Sequence, residues 1–368
     1  MAESIIVNAY GIVGRSMRRR KPACALLLGL AAGIGLGSCG RDAETPPVAA
    51  TEVGRAAVDA SLEAAEQYLT AGNTASARAI IDRLLVKAPR EPRAHELYGR
   101  ILYLEGVRAR GAGHDAAARR LVSESSDWYR SAVENAEADG GFAPSSLAGM
   151  HQSAGEIASA AERPEQALEH FRAAGRLDPA SSKPPLYEAQ ILLQLSRSDE
   201  ASRALQRTLQ LDPDEAYAHA SLAELALNRA DSEAAVGHIT KARRIDPGNL
   251  TLRLQEARIH RRTGEPGRGL ELLVALDEPT RAQEAIAAEI AECYLRLGEP
   301  RKAAEAWELC YRLRPRHPGA WRAAVRAAEA RITAGDRDRA LWLYDQAKLY
   351  APDQPEVRAL GELFAADR

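Results

Sequence analysis

The sequence has few aromatic residues and no large excess of charge. Phe, Trp and Tyr make up 5% of its 368 residues, and the formal net charge is −2. The N-terminal segment 1–38 holds five basic side chains and one acidic, so the segment 39–368 carries 44 basic against 50 acidic side chains. Nucleic-acid binding depends on basic groups that neutralise phosphates, so this balance argues against a nucleic-acid partner.

The sequence motifs of the common enzyme classes are also absent. No Walker-type phosphate loop, G-x-S-x-G elbow, H-E-x-x-H motif or C-x-x-C pair occurs. Paired carboxylates such as Glu162 and Glu165 are typical of a solvated helix surface. The sequence therefore predicts a protein with no catalytic residues and no cofactor.

What the chain does contain is Ala, Leu, Arg and Glu in abundance, with 46% hydrophobic and 27% charged residues overall. This balance argues against a disordered tail protein and a protein with many membrane spans. Alanine and leucine favour helices that pack closely through small side chains. The composition predicts an all-α fold.

The N-terminal segment has the features of an export signal. Basic residues at 18–21 precede an apolar run, 23–37, whose 15 residues are too few for a membrane span of about 20. The run ends in Leu36-Gly37-Ser38-Cys39, which resembles the signal of bacterial lipoproteins. Met17 is an alternative start, and a plain secretory signal or an uncleaved anchor remains an alternative to lipidation.

The lipoprotein resemblance implies a membrane address. It makes residues 1–38 a cleaved signal and Cys39 the lipidated N-terminus. The residue after the cysteine is Gly40, whereas an aspartate at this position commonly retains lipoproteins in the inner membrane. The resemblance therefore implies an outer-membrane anchor on the periplasmic face. Residues 39–57, with Pro46-Pro47, read as a flexible tether, and its stretch of about 15 residues from Gly40 to Gly54 would reach roughly 20 Å.

A sequence repeat with a period of 34 organises the rest of the chain. Pro179, Pro213 and Pro247 end equivalent Leu/Ile-Asp-Pro triplets at this spacing, and Gly-Glu-Pro at 264–266 recurs at 298–300. With each proline at position 32, positions 4, 8 and 11 lie on one face of a first helix, and positions 20, 24 and 27 on one face of a second. Proline then ends the second helix, because it lacks an amide hydrogen and clashes with the preceding turn.

This pattern resembles the tetratricopeptide repeat family, most fully in residues 284–317. That unit carries Ala291 at position 8, Tyr294 at 11, Ala303 at 20 and Trp307 at 24. The resemblance implies a right-handed solenoid of about seven helical hairpins with a C-terminal capping helix. Its parts would be hairpins at 58–147, one of them augmented by an insertion, a regular array at 148–354, and a cap at 355–368.

Two units depart from the regular register. Pro279 lies two residues early in the unit at 250–283, so we expect its second helix to end early. The unit at 318–354 needs three extra residues in its first helix, and we expect either a bend or a longer first helix there.

Histidine and cysteine pairs occur at repeat positions. His151 and His170, like His219 and His238, lie at positions 4 and 23 of their units, so descent of the repeats explains their spacing and no metal site is predicted. Cys293 and Cys310 lie on the two helices of one unit. A disulfide in an oxidising periplasm and two buried thiols are both compatible with this placement.

Family resemblance implies that exposed positions of the first helices line a concave, partner-binding groove. In the early units these positions hold acidic residues, Asp59, Glu66, Glu156 and Glu224. In the later units they hold arginines, which suit carboxylates or phosphates. The predicted binding residues are Arg258, Arg261, Arg262, Arg296, Arg322 and Arg326. The alternative is that these arginines are ordinary solvated positions, since arginine is common throughout the chain.

The layout resembles lipoproteins that serve pilus assembly, exopolysaccharide export or recruitment of cell-wall hydrolases. We therefore expect a scaffold that binds a protein partner of the cell envelope, such as one with an acidic peptide segment. Direct binding of an anionic polysaccharide by the same arginines is the main alternative. An enzyme is the third, and the repeats leave little room for a catalytic domain.

Overall fold

The computed structural model describes residues 48–313 and 319–366, and in these residues it contains 18 helices and no strand. Apart from the start of the first helix, they belong to the second of two compact units, residues 53–368. The predicted signal and Cys39 lie outside the described residues. The first helix begins at Val48, so residues 48–57 of the predicted tether are helical. No described helix is long and apolar enough to cross a membrane.

In chain order the helices are α1 Val48–Thr70, α2 Thr74–Lys87, α3 Pro92–Gly111, α4 Asp115–Asp139, α5 Pro144–Ala160, α6 Pro164–Leu177, α7 Lys183–Gln194, α8 Ser198–Leu211, α9 Ala216–Asn228, α10 Ser232–Ile245, α11 Leu250–Arg262, α12 Pro266–Val274, α13 Glu278–Arg281, α14 Glu284–Arg296, α15 Pro300–Leu313, α16 Ala320–Thr333, α17 Arg337–Tyr350 and α18 Pro355–Ala366.

Sixteen of these helices pair into eight hairpins, each with a first helix, A, and a second helix, B. Each B helix packs on its own A helix and on the A helix that follows, so the hairpins stack into a solenoid. α13 is a short extra helix after α12, and α18 packs on the last hairpin as the predicted cap. The described residues hold one hairpin more than the expected seven.

Small residues allow the two helices of a hairpin to approach closely. A Cβ added at Gly155 would lie 2.7 Å from the Phe171 ring, and one added at Gly269 would lie 2.6 Å from the carbonyl oxygen of Ala257. Large side chains then fill the space beside the contact, since Leu205 and Ile239 are fully buried. The predicted positions 8, 20 and 24 therefore form the hairpin core.

The turn between A and B helices requires a left-handed residue. Gly264 and Gly298 supply it with φ of 92° and 74°, and Pro266 and Pro300 then begin the B helices. This geometry explains the recurring Gly-Glu-Pro triplet. In three central hairpins the same position holds Glu162, Ser196 and Ala230, with φ of 58–59°.

Two predicted irregularities are confirmed. The hairpin α3–α4 has helices of 20 and 25 residues, where the regular α9 and α10 have 13 and 14. Helix α12 ends after nine residues, and α13 follows it.

The expected lengthening of the first helix after Pro315 is wrong. Helix α16 has 14 residues, one more than α9, and begins five residues after Pro315, whereas α9 begins three residues after Pro213. The buried residues of α16 match those of α9 when Trp321, and not residue 318, is position 1. Each helical residue turns the chain by about 100°, so extra residues in the connection keep the apolar stripe aligned.

Candidate functional site: the A-helix face

The predicted groove corresponds to the exposed side of helices α9, α11, α14 and α16, here called the A-helix face. Helices α9 and α11 contact each other directly, and so do α11 and α14. Five of the six predicted arginines are exposed on this face. They are Arg258 and Arg262 on α11, Arg296 on α14, and Arg322 and Arg326 on α16.

These five arginines differ in whether the guanidinium group already contacts another side chain. Within the described residues Arg262 and Arg296 make no hydrogen bond or ion pair. Arg322 lies over the Trp321 ring at 4.9 Å, and Arg326 donates to Glu329 at 3.0 Å, an exposed pair worth little in water. Arg262 and Arg296 are therefore the most available donors for an anionic partner.

The sixth predicted arginine, Arg261, is half-buried, and its guanidinium is already bound to a neighbouring helix. Its Nε and Nη2 donate to Glu289 of the next A helix at 2.5 and 3.2 Å. The Glu289 side chain is 5% exposed and that of Arg261 15%, and this hydrogen-bonded contact raises the pKa of the guanidinium above its usual range. Arg261 thus joins adjacent hairpins, and the nearby Arg258 Nε lies 3.7 Å from the same carboxylate.

The predicted acidic end of the groove is partly neutralised. Glu66 accepts a hydrogen bond from Arg93 at 2.9 Å, and Asp59 lies 3.8 Å from Arg55. Glu156 accepts from Gln152, and Glu224 is half-buried. Among the described residues, the strongest unpaired charge on the predicted binding positions is therefore the basic group on α11, α14 and α16.

Sequence reasoning missed three buried carboxylates at the hairpin junctions. Glu188 accepts hydrogen bonds from Arg172 of the preceding hairpin and from Arg207, and Glu256 pairs with Arg243 at 2.9 Å; Glu289 is the third. Glu188 and Glu256 both occupy position 7, where α9 carries the buried Leu222. A charged residue recurring at an apolar position was the signal that could have revealed them.

Comparison with known proteins agrees with this architecture. Models described as "Tetratricopeptide repeat" match residues 62–139 and 158–225. These two segments of the chain therefore consist of tetratricopeptide repeats. No curated protein sequence is significantly similar to it.

Solved structures of other repeat proteins are similar at low sequence identity. A tetratricopeptide repeat protein from Parabacteroides merdae ATCC 43184 is 12% identical, with a TM-score of 0.47 over 72% of this chain and 98% of that one. PilW, a type IV pilus biogenesis factor, is 16% identical, with a TM-score of 0.47 over 58% and 98%. YrrB, a TPR protein with an unusual peptide-binding site, is 19% identical, with a TM-score of 0.40 over 53% and 99%.

A cleft of this repeat protein lies beside the B helices of its C-terminal hairpins. Where α12 ends early, a cleft of about 860 Å³ lies among α13, α14, α15 and α17, with Tyr294, Tyr311 and Trp342 in its lining. Two of the four cations in its lining, Arg312 and Arg339, are paired with Glu278 and Glu308, at 2.8 Å each. The sequence predicted the short helix but not the cleft.

The histidine and cysteine pairs lie within hairpins of the repeat. In the described part of the chain no group of three or more His, Cys, Asp and Glu side chains could hold a metal ion. Of the two alternatives for Cys293 and Cys310, the structure contains two buried thiols and not a disulfide. Burial raises the pKa of Cys293 to about 12, which keeps this thiol protonated.

Proposed function

We propose that this tetratricopeptide repeat protein is a lipid-anchored adaptor of the bacterial cell envelope that binds an acidic segment of a protein partner on its A-helix face. The observation that carries the binding site is the exposed arginine group on three consecutive A helices, in which Arg262 and Arg296 have no partner among the described residues. Arginine presents a planar fork of donors that matches a carboxylate, so an acidic segment is the chemistry that fits.

The envelope location is supported by the sequence before the described residues. A basic cluster, a 15-residue apolar run and Leu36-Gly37-Ser38-Cys39 are together typical of a lipoprotein signal. An adaptor anchored in the outer membrane and facing the periplasm would suit pilus assembly, exopolysaccharide export or the recruitment of cell-wall hydrolases.

Metabolic labelling with palmitate tests the anchor. The wild type and a Cys24→Ala control should incorporate the label and fractionate with the outer membrane, whereas Cys39→Ala should do neither. Equal labelling of Cys39→Ala, or label in no variant, would contradict lipidation at this residue.

Charge reversal on the A-helix face tests the binding site. In crosslinked cells, affinity purification of Arg262→Glu/Arg296→Glu/Arg322→Glu should lose a protein that the wild type retains. Its control is Arg119→Glu/Arg203→Glu/Arg301→Glu, which makes the same change of charge at exposed residues of B helices. Recovery of the same proteins with both variants would place the partner elsewhere, and the cleft at Trp342 would be the next surface to test.

An anionic polysaccharide is the competing ligand for the same arginines. Its affinity would come from charge alone and would fall steeply with ionic strength, whereas a protein partner with an apolar anchor would be less sensitive to salt. Binding of a purified acidic glycan that the triple variant abolishes would therefore replace the adaptor proposal.

A further inference from the structure

Two hairpins contain the same contact between two histidines. In the third hairpin, Nδ1 of His151 on α5 lies 3.2 Å from Nδ1 of His170 on α6. In the fifth, Nδ1 of His219 on α9 lies 3.0 Å from Nδ1 of His238 on α10. The ring centroids are 5.4 and 5.3 Å apart, so the two pairs are near copies of one arrangement.

The surroundings decide which nitrogen carries each proton. Nε2 of His219 lies 3.2 Å from the carbonyl oxygen of Pro213, which can only accept, so Nε2 is the donor. Nε2 of His151 likewise donates to a carboxylate oxygen of Glu137 at 3.2 Å. A neutral imidazole has one N–H, so Nδ1 of each buried histidine is an acceptor, and Nδ1 of His170 or His238 must donate to it.

We propose that the two histidine pairs are proton-sensitive clasps, which fasten an A helix to its B helix when at most one ring of each pair is charged and release it when both are charged. The first proton can enter at Nε2 of the outer, half-exposed ring, His170 or His238, without loss of the hydrogen bond. A second proton would put N–H groups on both Nδ1 atoms, which face each other 3.0–3.2 Å apart. Neither could then accept.

Charges around the pairs do not remove this conflict. The first pair faces Glu137 and Arg130 of α4, with Glu169 and Arg176 of α6. The second pair faces the carboxylates of Asp214 and Asp231, with Lys241 and Arg244 of α10. Each pair thus has both signs of charge nearby, and burial is the largest cause that lowers the pKa of all four histidines.

The sign of the pH effect follows from these directions. The unfolded chain takes up protons near the ordinary imidazole pKa of about 6.5, while the folded chain resists them. The stability contributed by the clasps is therefore fully present above about pH 6.5 and is lost as the pH falls below it. For each unit of pKa depression, the folding equilibrium constant falls by up to about tenfold per histidine.

Substitution of the outer histidines tests the proposal by urea unfolding of the full chain. The variant His170→Asn/His238→Asn keeps a hydrogen-bond donor at the δ position of both side chains, and its asparagines cannot be protonated. A chelator in the buffer excludes metal. It should keep the neutral-pH stability and lose much of the wild type's decline between about pH 7.5 and pH 5. Each single variant should lose about half of it. His114→Asn, an exposed histidine at the tip of the augmented hairpin, is the matched control and should keep the whole decline.

Nitrogen NMR of the wild-type imidazoles provides a readout that does not depend on a variant folding. At neutral pH, His151 and His219 should be Nε2–H tautomers, and His170 and His238 Nδ1–H tautomers. The reverse assignment, or an acid decline of the double variant equal to that of the wild type, would overturn the proposal.

Discussion

The central hairpins α5–α10 and the C-terminal hairpins α11–α17 form the same repeat, but they differ in their turn residues and in the regularity of their B helices. The three central B helices have 14 residues each, and their turns force non-glycine residues into left-handed conformations. The C-terminal turns use Gly264, Gly298 and Gly335 instead. Their irregularity lies in the shortened α12 and the inserted α13.

This difference shows where a solenoid can vary without losing its stacking. Arg261 and Glu289 join α11 to α14 across the irregular hairpin. The A helices therefore remain in contact while a cleft opens beside the B helices. Exposed arginines of the A-helix face and the aromatic cleft both lie in this less regular half.

Loss of the Arg261 contact should reduce the free energy of unfolding more than any other change considered for the two regions. Arg261→Ala would leave the Glu289 carboxylate buried with only the more distant Arg258 beside it, so we expect a loss of about 3–5 kcal/mol in unfolding free energy. The adjacent Arg262→Ala removes an exposed side chain and should change stability by less than about 0.5 kcal/mol. Urea denaturation of both variants measures the difference, and equal losses would contradict the structural role of Arg261.

The next largest difference in stability should come from adding a methyl group at the two close helix contacts, one in the C-terminal hairpins and one in the central hairpins. Gly269→Ala would press against the backbone carbonyl of Ala257, which cannot move without shifting α11, whereas Gly155→Ala would meet the Phe171 ring, which can rotate. We expect Gly269→Ala to cost about 3 kcal/mol and Gly155→Ala about 1 kcal/mol, the two ends of the usual range for overpacking. Thermal unfolding of the pair checks the order, and a larger loss for Gly155→Ala would be inconsistent with it.

Exchanging the turn residues should change stability by a smaller amount. Ala230 is held at φ of 59°, which costs an ordinary residue about 1–2 kcal/mol, although glycine loses more backbone entropy on folding. We expect Ala230→Gly to stabilise the central array by up to about 1 kcal/mol and Gly264→Ala to destabilise by about 1 kcal/mol. Calorimetry on both variants would refute the argument if the two changes had the same sign.

The smallest effect concerns the two buried thiols. Labelling them measures their accessibility and leaves the fold unchanged. Cys293 and Cys310 are buried, and burial raises the pKa of Cys293 to about 12, so the reactive thiolate is scarce at neutral pH. Maleimide labelling of the folded protein should be slow at both residues and become fast in urea. Rapid labelling of Cys293 before unfolding would show that the C-terminal hairpins open locally.

The regular features of the fold were predictable because they repeat. The constant spacing of the proline triplets, small residues at the close contacts and proline after each B helix identified the hairpins and the early end of α12. The register of α16 was not predictable, because a proline-based count cannot tell an extended connection from an extended helix. The structure resolves this through the pattern of burial around Trp321.

The candidate site was predictable in outline but not in the role of each arginine. Helical spacing placed six arginines at exposed positions, yet Arg261 differs from Arg262 only through Glu289, which lies on the next A helix. Such a partner depends on how adjacent hairpins stack. The tautomers of the histidine pairs likewise depend on the Pro213 carbonyl and on Glu137, neighbours that the repeat positions did not identify.

The most direct test of the A-helix face is photocrosslinking in living cells with a photoreactive residue in place of Glu292, an exposed residue of α14. A matched probe in place of Arg203, on the B helix α8, reports the opposite side of the hairpins. We expect a specific protein adduct from position 292 alone, and we expect this adduct to be lost when Arg262→Glu and Arg296→Glu are added. An adduct only from position 203, or one from 292 that survives both reversals, would contradict this expectation.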